Sequence, residues 1–233
     1  NLVCAIATPA AQTMANATKD IPIVGTAITD YKVAKLVKDN SQPGTNVTGT
    51  TDMNPVEAQI DLLVKIMPKA RTVGFIYNSS EVNSQLQIDL AKKAAAARGL
   101  KTVEATVSSV NDIQQAAQSL VGKADALYVP TDNVLASAMP NLIKITDEAR
   151  IPVFCGEAGM TKAGGVATLG IDYYKLGFQT GEMAADILSG KAKPQNMAIQ
   201  AQKTFTVTLN EAQIKKLGLT VPDDILKEAK GAK

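Results

Sequence analysis

With 233 residues, 45% of them hydrophobic and 20% charged, the chain has apolar material for one large or two small globular domains. Lysine and arginine number 24 against 22 acidic residues, and a net charge of +2 gives no reason to expect a nucleic acid or an anionic membrane as partner. Histidine is absent, which removes the Ser-His and Cys-His nucleophile pairs and the imidazole ligands of most catalytic zinc sites, so neither an enzyme nor a metal or cofactor site is expected.

Leu2 to Ala7 is an uninterrupted apolar run, as in the interior of a parallel sheet. Thr8 then suits a helix cap and Pro9 the first helical position, with Ala10, Ala11, Met14 and Ala15 continuing the helix. Ile21 to Ala27 is a second strand that leaves through Ile28-Thr29-Asp30-Tyr31. After the turn Pro43-Gly44-Thr45-Asn46, the extended stretch Val47 to Thr51 reads as a crossing between domains, ahead of a helix from Pro55 to Met67. The longest apolar runs fall far short of the roughly 20 residues a membrane helix needs.

A second series of strands and helices follows. Thr72 to Tyr77 is a strand, Asn78 to Ser84 a turn rich in capping residues, and Gln85 to Arg98 an alanine-rich helix closed by Gly99. Leu100 to Thr106, Val110 to Val121 and Ala126 to Val129 repeat the alternation, which lacks hairpin signals and predicts α/β with parallel, doubly wound sheets. Thr131, Asp132 and Asn133 sit where the strand ending at Val129 gives way to a helix over Val134 to Ala149. That joint is where open α/β sheets bind ligands, and a carboxylate beside free helix amides suits a zwitterion; the alternative is that Asp132 or Asn133 only caps the helix.

Further on, Ile151 to Phe154 is a strand ending in Cys155-Gly156-Glu157, and Val166 to Ile171 is another, leaving through Asp172-Tyr173-Tyr174 into a helix from Lys175 to Leu188. Met197 to Gln202 and Thr204 to Leu209 read as strands, Glu211 to Leu217 as a helix, and the lysine-rich tail as solvated surface. Cys4 and Cys155, the two cysteines, show no disulfide or metal spacing and are expected to be free and buried.

Taken together, Ala7-Thr8-Pro9-Ala10-Ala11, Asn46-Val47-Thr48-Gly49, Tyr77-Asn78-Ser79-Ser80-Glu81-Val82-Asn83-Ser84, Tyr128-Val129-Pro130-Thr131-Asp132-Asn133 and Gly170-Ile171-Asp172-Tyr173-Tyr174-Lys175-Leu176-Gly177 resemble the ABC-transporter substrate-binding proteins of the tryptophan/tyrosine-type uptake family. The resemblance covers nearly the whole chain. It implies a type I periplasmic-binding-protein fold, with two doubly wound lobes, a hinge, and a small solute held in the cleft at the strand ends. The expected division is a partial N-terminal lobe at 1–48, a C-terminal lobe at 49–171, a return helix at 172–193, and a hinge crossing with the C-terminal segment at 194–233. Family members are expected to begin with further βα units, so the first lobe is expected to be incomplete through N-terminal shortening.

The implied partners are an amino-acid ligand, aromatic by resemblance, and the membrane permease of an ABC importer. The implied location is extracytoplasmic, in the periplasm or lipid-anchored at the cell surface, with the signal segment outside this chain. If the solute is an amino acid, Thr8 and the amides of Ala10 and Ala11 are candidates for its carboxylate. Asp132, then Asp172, are candidates for its ammonium, and Ser79, Ser80, Asn83, Thr131, Asn133, Thr29 and Glu157 for the polar ring. The competing expectation is a ligand-sensing effector domain of a transcriptional repressor or receptor, which shares the two-lobed fold.

Overall fold

The computed structural model describes residues 1–231; the last two residues of the lysine-rich tail lie outside them. The chain divides into two compact units, each assembled from separated stretches: unit 1 from Asn1–Met53 and Ile171–Phe205, unit 2 from Asn54–Gly170 and the segment from Thr206 onward.

Unit 1 begins with β1 (Val3–Ile6), α1 (Thr8–Ala17), β2 (Ile23–Ile28) and β3 (Val47–Thr51). The chain then builds most of unit 2: α2 (Val56–Ile66), β4 (Thr72–Asn78), α3 (Val82–Ala97), β5 (Lys101–Val107), α4 (Ile113–Leu120), β6 (Ala126–Val129), α5 (Asn133–Ser137), α6 (Met139–Glu148), β7 (Val153–Cys155), α7 (Ala158–Lys162) and β8 (Ala167–Gly170). It returns to unit 1 with α8 (Tyr173–Leu188) and β9 (Gln200–Ala201), and ends in unit 2 with β10 (Thr206–Leu209), α9 (Glu211–Leu217) and α10 (Asp223–Gly231).

The unit 1 sheet has the order β1-β2-β3-β9, with every pairing parallel. Tyr31 explains its two central glycines. Gly25 and Gly49 are register partners on β2 and β3, and a Cβ on Gly49 would lie 2.0 Å from the Gly25 carbonyl oxygen and 2.4 Å from the Tyr31 hydroxyl. The buried ring thus lies over bare backbone and donates its hydroxyl to the Thr50 carbonyl at 3.0 Å. One side of the sheet is filled by Ala5, Ile23, Ile28 and Val47 with Ala11 and Ala15 of α1, the other by Val24 with Met183 and Ala184 of α8.

Unit 2 has the order β10-β8-β7-β6-β4-β5. Its inner strands are largely apolar because helices cover both faces. Phe75 and Tyr128 meet edge to face at 6.1 Å among α2, α3 and the C-terminal helices, while Ile76, Leu127 and Val129 face α4, α5 and α6.

Several expectations give way here. Val47–Thr51 is a strand of unit 1 rather than a crossing, because its β-branched residues pair with β2, and the boundary falls at Met53/Asn54. The segment from 194 is likewise divided, with β9 in unit 1 and β10 in unit 2. β10 runs antiparallel to β8, so the second sheet is mixed. The helix foreseen over Val134 to Ala149 breaks at Ala138, because Pro140 fits only a first helical turn and begins a new helix there. Thr8 is the first helical residue rather than the cap, which is Ala7 at φ 72°. Both cysteines are free, but Cys4 is exposed: β1 is an edge strand and Ala5, not Cys4, points into the core.

Candidate functional site

β4 and β6 are parallel neighbours, so the turns that leave their carboxyl ends emerge side by side. The first joint carries Asn78 at the end of β4, Ser79, Ser80 and Glu81 in the turn, and Asn83 and Ser84 at the start of α3; the second carries Thr131 and Asp132, with Asn133 opening α5. The side chains of Glu81, Asn83, Ser84, Asp132 and Asn133 form one network. Asp132 Oδ2 accepts from the Asn78 amide at 2.6 Å and the Ser84 hydroxyl at 2.7 Å, while Oδ1 accepts from the Leu135 amide at 2.9 Å and caps α5. Glu81 Oε2 accepts from the Asn133 side-chain amide at 2.6 Å, the Asn133 backbone at 3.1 Å and Asn83 Nδ2 at 3.0 Å. Its Oε1 accepts from the Val134 amide at 3.3 Å.

Glu81 therefore occupies the N-cap position of α3 and yet makes no side-chain cap bond to that helix, serving the first amides of α5 instead. Asp132 is 1% exposed and Glu81 6%. Burial, and then the charge of Glu81, raise the Asp132 carboxyl above its ordinary value, and the three hydrogen bonds oppose that rise. Among the described residues no lysine or arginine forms an ion pair with either carboxylate.

Asp132 is thus a carboxylate with both oxygens engaged by its own unit. Thr131 closes the network from the other side: its carbonyl accepts from Asn83 Nδ2 at 3.0 Å and its hydroxyl from Gln87 Nε2 at 2.5 Å. Ser79 and Ser80 are exposed on the turn, with Ser80 donating its amide and hydroxyl to Asn78 Oδ1. Glu157 follows β7 and caps α7, accepting from the Gly159 and Met160 amides, each at 2.5 Å.

The remaining candidates belong to unit 1. Thr8 and Ala11 are buried, and the Ala11 amide donates within the helix to the Ala7 carbonyl at 3.1 Å, so it is not a free donor as expected; Ala10 is exposed. Thr29 is buried and its carbonyl accepts from the Thr51 hydroxyl. Asp172 caps α8 through the Tyr174 and Lys175 amides, with its side chain 44% exposed. Near it, Tyr173 donates its hydroxyl to the buried Asp52 at 2.7 Å.

Asn78, Glu81, Ser84, Gln87 and Asp52 hold these clusters together, and reading the sequence did not single them out as site residues. Glu81 offered one signal: a carboxylate between two serines and an asparagine, just after an apolar strand, in the place where a helix cap is ordinarily a smaller residue.

Two α/β units, each with a mainly parallel sheet, polar turns at its strand ends and two chain stretches of its own, have the architecture of the periplasmic-binding-protein class. Within it, the chain belongs to the family of ABC transporter substrate binding proteins, whose model matches residues 1–233. It is 42% identical over 219 residues to a tyrosine-binding protein of Clostridioides difficile, covering 94% of this chain and 63% of that protein's length. Among solved structures it is similar to an ABC domain from Streptococcus pneumoniae in complex with L-Trp, at 39% identity and a TM-score of 0.95 over 98% of this chain and 77% of that one. A conserved domain protein from Vibrio cholerae is similar at 40% identity and a TM-score of 0.94, with the same coverage of both chains. Proteins of this family act outside the cytoplasm, and among the described residues no helix is long and apolar enough to cross a membrane.

Proposed function

We propose that the chain is the solute-receiving component of an ABC importer and that its solute is an amino acid with an aromatic side chain. The observation that carries this reading is that relatives near 40% identical are, by their names, a tyrosine-binding protein and an L-Trp complex. The chain acts as a binding protein and not as an enzyme, delivering its solute to a membrane permease from the periplasm or from a lipid-anchored position on the cell surface. On unit 2, Ser79, Ser80, Asn83 and Asn133 are the residues proposed for solute contact. Thr131, Asp132 and Glu157 shape the turns from within, as do Thr8, Ala11 and Thr29.

A thermal-shift screen of the twenty amino acids tests the proposal. A solute at 100 times its dissociation constant stabilises the chain by about 2.7 kcal/mol. Tyrosine or tryptophan is expected to give the largest shift. A shift with a different amino acid alone would refute the aromatic assignment, and no shift with any of them would refute the amino-acid reading.

A further inference from the structure

A cavity of about 550 Å³ lies within unit 1, between the end of α1, the loop after β2 and the start of β3. Ala15 and Lys19 bound it at the end of α1, Lys35 and Leu36 in the loop, and Asn46 just before β3. Because α1 starts at the carboxyl end of β1 and returns to the parallel β2, its last turn lies with the first residue of β3 at the amino ends of the strands. Thr8, Ala10 and Thr29 belong to the opposite, carboxyl ends, and none of them lines the cavity. Its volume falls within the roughly 300–1,000 Å³ of small-molecule sites.

Asn46 is the polar group built into its wall. The residue is 7% exposed, and Nδ2 donates to the Thr18 and Ile21 carbonyls at 3.1 and 2.8 Å, neither of which lines the cavity. Exchanging the amide oxygen and nitrogen would set the oxygen against two carbonyls with no proton between them, so the amide has one orientation. Both protons are spent on those carbonyls. Oδ1 is the polar atom that Asn46 offers to the cavity, and it accepts from no donor among the described residues. Gln12 on α1 is used the same way: Nε2 donates to the Ala34 carbonyl at 3.1 Å and leaves Oε1 as an acceptor. Exposed Lys19 and Lys35 add positive charge. Neither forms an ion pair among the described residues, and no acidic side chain lines the cavity.

Two amide acceptors and two uncancelled cations specify a ligand. Its uncharged part must donate hydrogen bonds, and it must carry about two negative charges. A bare inorganic dianion lacks the donors, and a neutral polyol lacks the charge. A phosphate monoester of a polyol has both, since its hydroxyls donate and its phosphate carries about −1.5 to −2 at neutral pH.

We propose that this cavity is a second binding site, at the end of unit 1 away from its strand-to-helix joints, and that it takes a small polyol phosphate. Asn46 Oδ1 and Gln12 Oε1 accept from the hydroxyls, and Lys19 and Lys35 hold the phosphate. The site is independent of which solute the chain carries.

Calorimetry on the intact chain tests this with glycerol 3-phosphate and glucose 6-phosphate as probes, against glycerol and sulfate. At least one ester is expected to bind saturably, in the millimolar range or tighter, with glycerol and sulfate weaker by about tenfold or more, the size of one charge-assisted hydrogen bond. The double variant Lys19→Gln, Lys35→Gln removes two exposed charges, so it is expected to melt like wild type and to bind the ester about tenfold or more weakly. Failure of both esters to saturate overturns the site. Glycerol or sulfate binding as tightly as the esters overturns the two-part recognition, and ester binding unaltered in the double variant overturns the location.

Discussion

Asp132→Asn separates a structural carboxylate from a ligand-binding one. Asparagine caps a helix about as well as aspartate, so the bond from the Leu135 amide to Oδ1 survives the change. The other oxygen becomes an NH2 group facing the Asn78 amide, formerly 2.6 Å away, and the Ser84 hydroxyl, formerly 2.7 Å away. The hydroxyl can rotate to accept, but the backbone N–H cannot, and a buried donor without an acceptor costs about 1–3 kcal/mol. Removing a buried charge beside Glu81 offsets part of that loss, and the offset depends on pH. Because the Asp132 carboxyl is raised, the folded chain holds its proton more tightly than the unfolded chain does. Asp132 therefore contributes most below its ordinary value, and that contribution declines as pH rises toward the raised one. The wild-type advantage over the variant should accordingly be largest in acid and shrink toward neutrality. Urea titrations at several pH values, with hydrogen exchange of the Asn78 amide reporting on unit 2, measure it. A variant as stable as wild type at every pH, yet deficient in solute binding, would refute the structural role and make Asp132 a solute contact.

Gly49→Ala should destabilise unit 1 by about 3–5 kcal/mol, since φ is +147° and the new Cβ would meet the Gly25 carbonyl oxygen; denaturation of the purified variant checks this. Gln59→Leu should cost about 2–4 kcal/mol, because buried Gln59 donates to the Gly156 and Leu169 carbonyls at 3.0 and 2.8 Å and accepts from the Tyr128 hydroxyl at 2.6 Å; a melting point equal to wild type would count against it. Thiol titration should find one fast group in the native chain, the exposed Cys4, and a second only in denaturant. Cys155 is buried, and burial pushes its thiol far up.

The joints between strands and helices were legible in the sequence because each joins an uninterrupted apolar run to a cluster of Thr, Pro, Asn, Asp or Ser. The partners of those polar residues were not. Asp132 was legible as a helix cap, a matter of three residues, but its other oxygen bonds Asn78 and Ser84, 54 and 48 residues earlier. That pairing exists only because β4 lies beside β6 in the sheet. Glu81 was missed for the same reason: it sits at the N-cap position of α3, and tertiary structure carries its carboxylate to α5. Val47–Thr51 was legible as extended chain, but its membership in unit 1 depends on pairing with β2.

How the paired carboxylates are held decides what the cluster can do. A lysine or arginine placed between Glu81 and Asp132 would stabilise both and cancel much of their field. Backbone amides, a serine hydroxyl and asparagine side chains satisfy the lone pairs while leaving the net charge in place. Inside a low-dielectric interior that charge acts on nearby groups far more strongly than it would in water. The arrangement costs folding stability, because burial and the charge of Glu81 both disfavour the ionised form of Asp132.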